Sequence, residues 1–160
     1  MSIVLGIDPG FAILGWGIVE SLDKENKEKV FWGAIKTKAQ SNIEDRLHII
    51  YDGVVDLVKL YKPQEIAMEK VFFNNNAKTA IRVGQVQGVI LLISSMYSIP
   101  IFEYTPLQVK SALTGYGVAD KKQVQNMLKL LLKLDDVPHP DDAADGIALA
   151  LCHLQTHRFT

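Results

Sequence analysis

A single cysteine, Cys152, serves the whole 160-residue chain, which excludes an intrachain disulfide and suits a reducing compartment. No basic segment precedes the first apolar run, so the N-terminus reads as a strand rather than a secretory signal. Long apolar runs are missing too. The most apolar stretch, Gly88 to Phe102, is interrupted by Ser94, Ser95, Ser98 and Pro100 and falls short of a membrane span. No internal repeat, linker-like stretch or low-complexity run divides the chain. Residues 1–160 are therefore expected to form one soluble, cytoplasmic domain with no membrane partner. An excess of charge of one sign is also lacking: the net charge is −1.

The charge that is present is unevenly placed. Residues 70–133 hold eight bases and two acids, a local balance of +6, while the remainder holds nine bases and sixteen acids. A basic middle fits a phosphate-binding footprint, and it also fits a solvated helix surface.

Ser2 to Asp8 is a short apolar run closed by Asp-Pro-Gly, a strand followed by a turn. Ile13–Glu20 and Lys29–Lys36 read as two further strands, joined by a polar hairpin loop from Leu22 to Glu28. Ser41 and Glu44 make a capping box for a helix. Its Leu47, Ile50, Tyr51, Val54, Leu57 and Val58 recur at helical spacing, and Pro63 ends it. A fourth strand is expected over Glu65–Val71, a long helix over Asn76–Tyr97 and a fifth strand over Ile99–Tyr104. Thr105-Pro106 starts a helix that Gly115 and Gly117 break, and helices over Asp120–Leu134 and from about Pro140 to His157 follow. Strands on short connections should be antiparallel, and strands separated by helices parallel. The expected architecture is α/β: a five-stranded mixed sheet flanked by helices, in the ribonuclease H-like order.

Four acids stand where chemistry could use them. Asp8 ends the first strand, Glu69 lies at the end of the fourth, and Asp142 and Asp145 share a face at the start of the last helix. Ala143 and Ala144 between them carry no bulky side chain. Such acids can converge at one sheet edge, where their like charges are costly unless a cation neutralises them. Oxygen ligands without histidine or cysteine favour magnesium or manganese. Two such ions can activate a water and stabilise the leaving oxygen of a phosphodiester. Plainer readings exist for three of the acids. Asp8 before Pro-Gly is a common turn residue, Asp141 or Asp142 could cap the last helix, and Asp145 could favour its dipole. Glu69 is different, because it interrupts an apolar run and needs a partner or a function. His139, between two prolines, reads as a loop residue. His153 and His157 have the spacing of a zinc helix but no third ligand, and read as solvated helix surface.

Together these residues resemble the RuvC family of bacterial Holliday junction resolvases. The matching segments are Leu5-Gly6-Ile7-Asp8-Pro9-Gly10, Gly15-Trp16-Gly17, Met68-Glu69-Lys70-Val71-Phe72, Phe102-Glu103-Tyr104 with Gln108-Val109-Lys110, Lys121 with Gln123-Val124-Gln125, and the run from Asp142 to Ala150. They occur in family order over nearly the whole chain. The resemblance implies a ribonuclease H-like fold, a homodimer, and four catalytic, metal-binding carboxylates, which map onto Asp8, Glu69, Asp142 and Asp145. It implies a magnesium-dependent endodeoxyribonuclease, with manganese able to substitute and two ions per subunit. That enzyme would nick opposing strands of a four-way DNA junction in recombination and repair, alongside the RuvA–RuvB branch-migration complex. Position 142 varies in the family between aspartate and histidine, which keeps His139 in view.

The resemblance also places a phenylalanine at the junction, to stack on or wedge between bases, and this maps to Phe72, with Phe73 the alternative. Lys110 and Lys121 match lysines that face phosphates. Lys122, Lys78 and Arg82 complete the expected DNA-binding set. The helix over 76–97 carries apolar residues well around its circumference, more than one sheet face covers, so a second subunit could cover the rest. Two other classes share part of the pattern. An actin-like ATPase fragment would share the first motif, although that fold normally needs two such domains. A nuclease-dead junction-binding protein would keep the basic surface but lose carboxylates, and all four are present.

Overall fold

Strand β1, Ser2–Asp8, sends Val4 to one face of the sheet and Leu5 and Ile7 to the other, as the two-residue period of a strand requires. In the computed structural model, which describes residues 2–22, 27–72 and 76–157, this strand is the centre of the sheet. It pairs antiparallel with β2, Ile13–Leu22, which pairs antiparallel with β3, Lys27–Lys36. On its other side β1 pairs parallel with β4, Glu65–Glu69, and β4 pairs parallel with β5, Ile101–Tyr104. The order β3-β2-β1-β4-β5 is the expected mixed sheet.

Helices cover both faces. Helices α1, Ile43–Tyr61, and α2, Ala77–Tyr97, pack Ile50, Val54, Val86 and Ile90 against Leu5, Ile7, Ile66 and Met68. Helices α3, Pro106–Thr114, α4, Lys121–Leu131, and α5, Asp141–His157, close the opposite face over Val4, Val19 and Ala67. Each face thus removes a continuous apolar layer from water, the main favourable term in folding.

Several boundaries move by a residue or two. The cap of α1 is Asn42, whose side chain accepts from the Asp45 N–H at 2.9 Å, and not Ser41. Both residue types cap well, and the local rule does not decide between neighbours. The hairpin strands run on to Leu22 and from Lys27, so the expected loop is shorter, and residues 23–26 lie outside the described residues. Strand β4 stops at Glu69, β5 begins at Ile101, and α4 ends at Leu131, just before Lys133 adopts a left-handed conformation. Helix α2 extends well N-terminal of Gly88. At 21 residues it is long and apolar enough, by length and composition, to cross a membrane, although the apolar stretch Gly88–Phe102 alone is not. Its Ala80, Val86, Ile90 and Ile93 are nevertheless buried, while Ile81, Leu91, Leu92 and Met96 are exposed.

Helix α5 approaches the sheet more closely than side chains allow. A Cβ on Gly6 would lie 1.9 Å from the Gly146 carbonyl oxygen, and one on Gly15 would lie 1.8 Å from that of Asp142. One on Gly17 would meet the Ile147 nitrogen at 2.5 Å. Glycine is needed here for close backbone approach. Gly15 is also the cross-strand partner of Asp8, so the seam sets the first turn of α5 beside the end of β1.

Gly6→Ala is expected to force α5 outward and to lower stability by about 1–3 kcal/mol or more, as overpacking does. Urea unfolding midpoints measure this. Equal midpoints for variant and wild type would contradict the seam.

Candidate active site

The strand period places Asp8 on the face of Val4 and Gly6, the face that α5 covers. Glu65, Ala67 and Glu69 share that face of β4, the parallel neighbour of β1. Both Asp8 and Glu69 therefore leave the carboxyl ends of adjacent strands toward α5, whose first two turns carry Asp142 and Asp145. Glu69 is further fixed through its backbone, because Gln87 of α2 donates from Nε2 to its carbonyl oxygen at 3.0 Å.

The electrostatics are those of acids crowded together. Burial raises the Asp8 carboxyl to about 8, with the charges of Glu69 and Asp145, a hydrogen bond with Glu69, and the charge of Asp142 adding to it. Burial also raises Glu69, against a hydrogen bond from Asp8 that favours its charged form. Asp145 rises to about 6 through burial, with Lys121 opposing and Glu69, Asp142 and Asp141 reinforcing. Asp8 and Glu69 are close enough to influence each other, and two ionised carboxylates have only acceptors, so their proximity favours a proton on one of them. A divalent cation would satisfy the same charge without that proton.

Among the described residues no three acids, histidines or cysteines already converge as ligands on one point. The chemistry still fits: the oxygens are hard, and burial together with mutual repulsion disfavours the charged acids without a counter-ion.

Two depressions flank the cluster. One, about 250 Å³, is lined by Glu69, Asp145, Lys110 and Lys121 together with Pro106, Val109 and Val124. The other, a broad groove of about 720 Å³, is lined by Asp142, Arg46, Lys78 and Arg82 among others. Four of the five expected cations, Lys110, Lys121, Lys78 and Arg82, thus border the acids, while Lys122 is exposed on α4 and lines neither depression. Lys121 Nζ lies 3.2 Å from Asp141 and 3.9 Å from Asp145. Burial pulls its pKa down, but these acids outweigh burial and hold it above the ordinary value. Asp141 is accordingly held low by Lys121, with Gln125 also bonded to it, so its carboxylate has partners beyond a helix cap.

Phe72 is 50% exposed just beyond Glu69, while Phe73, Asn74 and Asn75 lie outside the described residues. His139 is exposed and lines a separate groove with Trp32 and Lys133. The reading of His153 as solvated surface is overturned, because it is fully buried. Its Nε2 lies 2.8 Å from Glu65 and its Nδ1 2.6 Å from the Tyr104 hydroxyl. Burial lowers its pKa, with Glu65 opposing. A neutral ring that donates to the Glu65 carboxylate and accepts from Tyr104 satisfies all three groups. Helix α5 thus serves both ends of β4, with Asp145 beside Glu69 and His153 bonded to Glu65. Gln87 and Arg46 were missed because their contacts cross the fold and leave no local spacing to read.

A mixed sheet in this order, with acids at the ends of two adjacent parallel strands and at the start of the helix lying over them, is the ribonuclease H-like fold. A yeast mitochondrial Holliday junction resolvase, Ydc2, shares that fold with a TM-score of 0.66 at 14% identity, covering 96% of this chain and 79% of its own. The T. thermophilus RuvC in complex with Holliday junction substrate superposes with a TM-score of 0.93 at 32% identity, covering 99% and 96%. In sequence, the crossover junction endodeoxyribonuclease RuvC of Pseudothermotoga lettingae is 48% identical over 99% of this chain and 97% of its own. The family model for the crossover junction endodeoxyribonuclease RuvC matches residues 4–153. The chain belongs to the RuvC family.

The carboxyl cluster makes stability depend on pH in a definite direction. Asp8 has a folded pKa of about 8 against an ordinary 3.8, so between these values the folded chain binds more protons than the unfolded chain. Stability is full below the lower value and is lost as pH rises through the upper one. His153, whose folded pKa is depressed, works oppositely but only below its ordinary 6.5. In chelator, the melting temperature is therefore expected to fall as pH rises from 6.5 to above 8, and Asp8→Asn should flatten that slope. A wild-type melting temperature that rises over this window would contradict the raised Asp8 carboxyl.

Proposed function

We propose that this protein is a metal-dependent endodeoxyribonuclease that resolves Holliday junctions in DNA recombination and repair. The observation that carries the reading is that buried Asp8 feels the charges of Glu69, Asp145 and Asp142, acids from an adjacent strand end and the start of α5, between two depressions lined by bases. In this proposal these four carboxylates are catalytic and would hold magnesium, with manganese able to substitute and two ions per subunit; the bound metal supplies water activation and charge compensation at the leaving oxygen. Lys110, Lys121, Lys122, Lys78 and Arg82 bind the DNA backbone and register the strand over the acids. Gln87 holds the end of β4 so that Glu69 keeps its aim. Phe72 stacks on bases that the crossover leaves unpaired.

The single domain acts as a homodimer. Support comes from the exposed face of α2, where Ile81, Leu91, Leu92 and Met96 lack apolar cover. A two-fold dimer matches the approximate two-fold symmetry of a four-way junction, so its two sites nick opposing strands. The protein is cytoplasmic, does not enter a membrane, and works with the RuvA–RuvB branch-migration complex.

The experiment is cleavage and binding of a labelled four-way junction by amide variants. Asp8→Asn, Glu69→Gln, Asp142→Asn and Asp145→Asn should each abolish cutting and leave junction binding largely intact. Near wild-type cutting by Asp142→Asn would remove that residue from the set and bring His139 forward. Phe72→Ala should lower cutting or affinity roughly 5–150-fold, from a stacking loss of about 1–3 kcal/mol. Its melting temperature should barely move, because the ring is half exposed. A large fall in melting temperature with normal cutting by the folded fraction would make Phe72 structural.

A further inference from the structure

The cations in the two depressions are held differently. Lys121 is turned toward Asp141 and Asp145. In the groove beside Asp142, none of Arg46, Lys78 and Arg82 has an ion-pair partner among the described residues. Asp142 is the only acid lining that groove among those residues.

Arg46 is nevertheless not free to swing. Its Nε donates to the Thr37 hydroxyl at 2.8 Å, and its guanidinium carbon sits 3.9 Å from the centroid of the Phe11 ring. The same hydroxyl donates to the Phe11 carbonyl oxygen at 2.8 Å, and the Thr37 N–H donates to Ala12 at 3.0 Å. Arg82 approaches the same ring, with its guanidinium carbon 5.6 Å from the centroid. Phe11 lies three residues past Asp8, on the turn that leaves β1. The clamp therefore ties an oriented guanidinium to the loop that carries a candidate catalytic acid. Its Nη groups make no hydrogen bond to the described residues, which leaves the fork that suits a phosphate.

We propose that this groove carries phosphates of the DNA strand on the Asp142 side of the acid cluster. Arg46 is a positioning residue there, aimed by Thr37 and Phe11. The inference rests on the nuclease reading and deepens it: Lys110 and Lys121 hold the strand on one side of the acids, and Arg46, Lys78 and Arg82 hold it on the other. A strand gripped at both ends cannot slide across the cluster, and this registers the phosphate to be cut.

The test is junction binding in excess chelator, measured by fluorescence anisotropy over a series of salt concentrations. Each phosphate contact contributes roughly 0.7–0.9 to the slope of log affinity against log salt. Arg46→Gln should make the slope shallower by about that amount, and Arg46→Lys should recover most of it. Lys59→Gln, which alters an exposed base at the far end of α1, should leave it unchanged. An unchanged slope for Arg46→Gln, or an equal loss for Lys59→Gln, overturns the proposal whatever happens to the melting temperature. If Arg46→Gln does not fold, Arg82→Gln is read on the same scale, and an unchanged slope there overturns it equally. Wild-type cutting in magnesium is scored on the same preparation. Its absence would strike the nuclease reading, while the slopes would still judge the groove.

Discussion

Helix α5 lies against β1 and β2 with little but glycine between one backbone and the other. Gly6, Gly15 and Gly17 leave room that any Cβ would fill, and Gly146 does the same from the helix side. That approach carries Asp142 and Asp145 to the end of β1, where Asp8 stands, and to β4, where Glu69 stands. The seam and the carboxyl cluster are thus one construction. The first brings like charges together, and the second makes their proximity depend on a proton or a cation. The opposite end of α5 is fastened more conventionally, by His153 between Glu65 and Tyr104. One helix therefore carries a satisfied polar contact at one end and an unsatisfied charge balance at the other.

The bases complete this balance without cancelling it. Lys121 offsets Asp141 and part of Asp145, yet burial still holds Asp145 at about 6. The remaining cations sit around the cluster rather than in it, which suits a polyanion laid across the acids better than a closed salt-bridge network. The net charge of −1 hides this arrangement, because the acids elsewhere in the chain offset the bases that line the two depressions.

Much of this was legible in the sequence, for physical reasons. Strand periodicity fixes which face Asp8 and Glu69 take, and three-residue spacing puts Asp142 and Asp145 together on a helix. The chain order of strands and helices gives the mixed sheet. What local pattern could not give were contacts across the fold. Arg46 meets Phe11 only because α1 starts beside the β1–β2 turn, and Gln87 reaches Glu69 only because α2 packs behind β4. His153 was misread because α5 is buried on nearly all sides, which leaves no polar stripe to mark the face that is inside. The cap of α1 slipped by one residue because Ser41 and Asn42 are equally capable of the role.

The central claim is that the carboxyl cluster forms a nuclease site that works only with a divalent cation on branched DNA. Incubating a labelled four-way junction and a linear duplex of matched sequence, each with magnesium and with excess chelator, tests it most directly. Paired nicks are expected in the junction with magnesium, none in chelator, and the duplex is expected to stay intact. Full junction cutting in chelator, or equal cutting of the duplex, would contradict it.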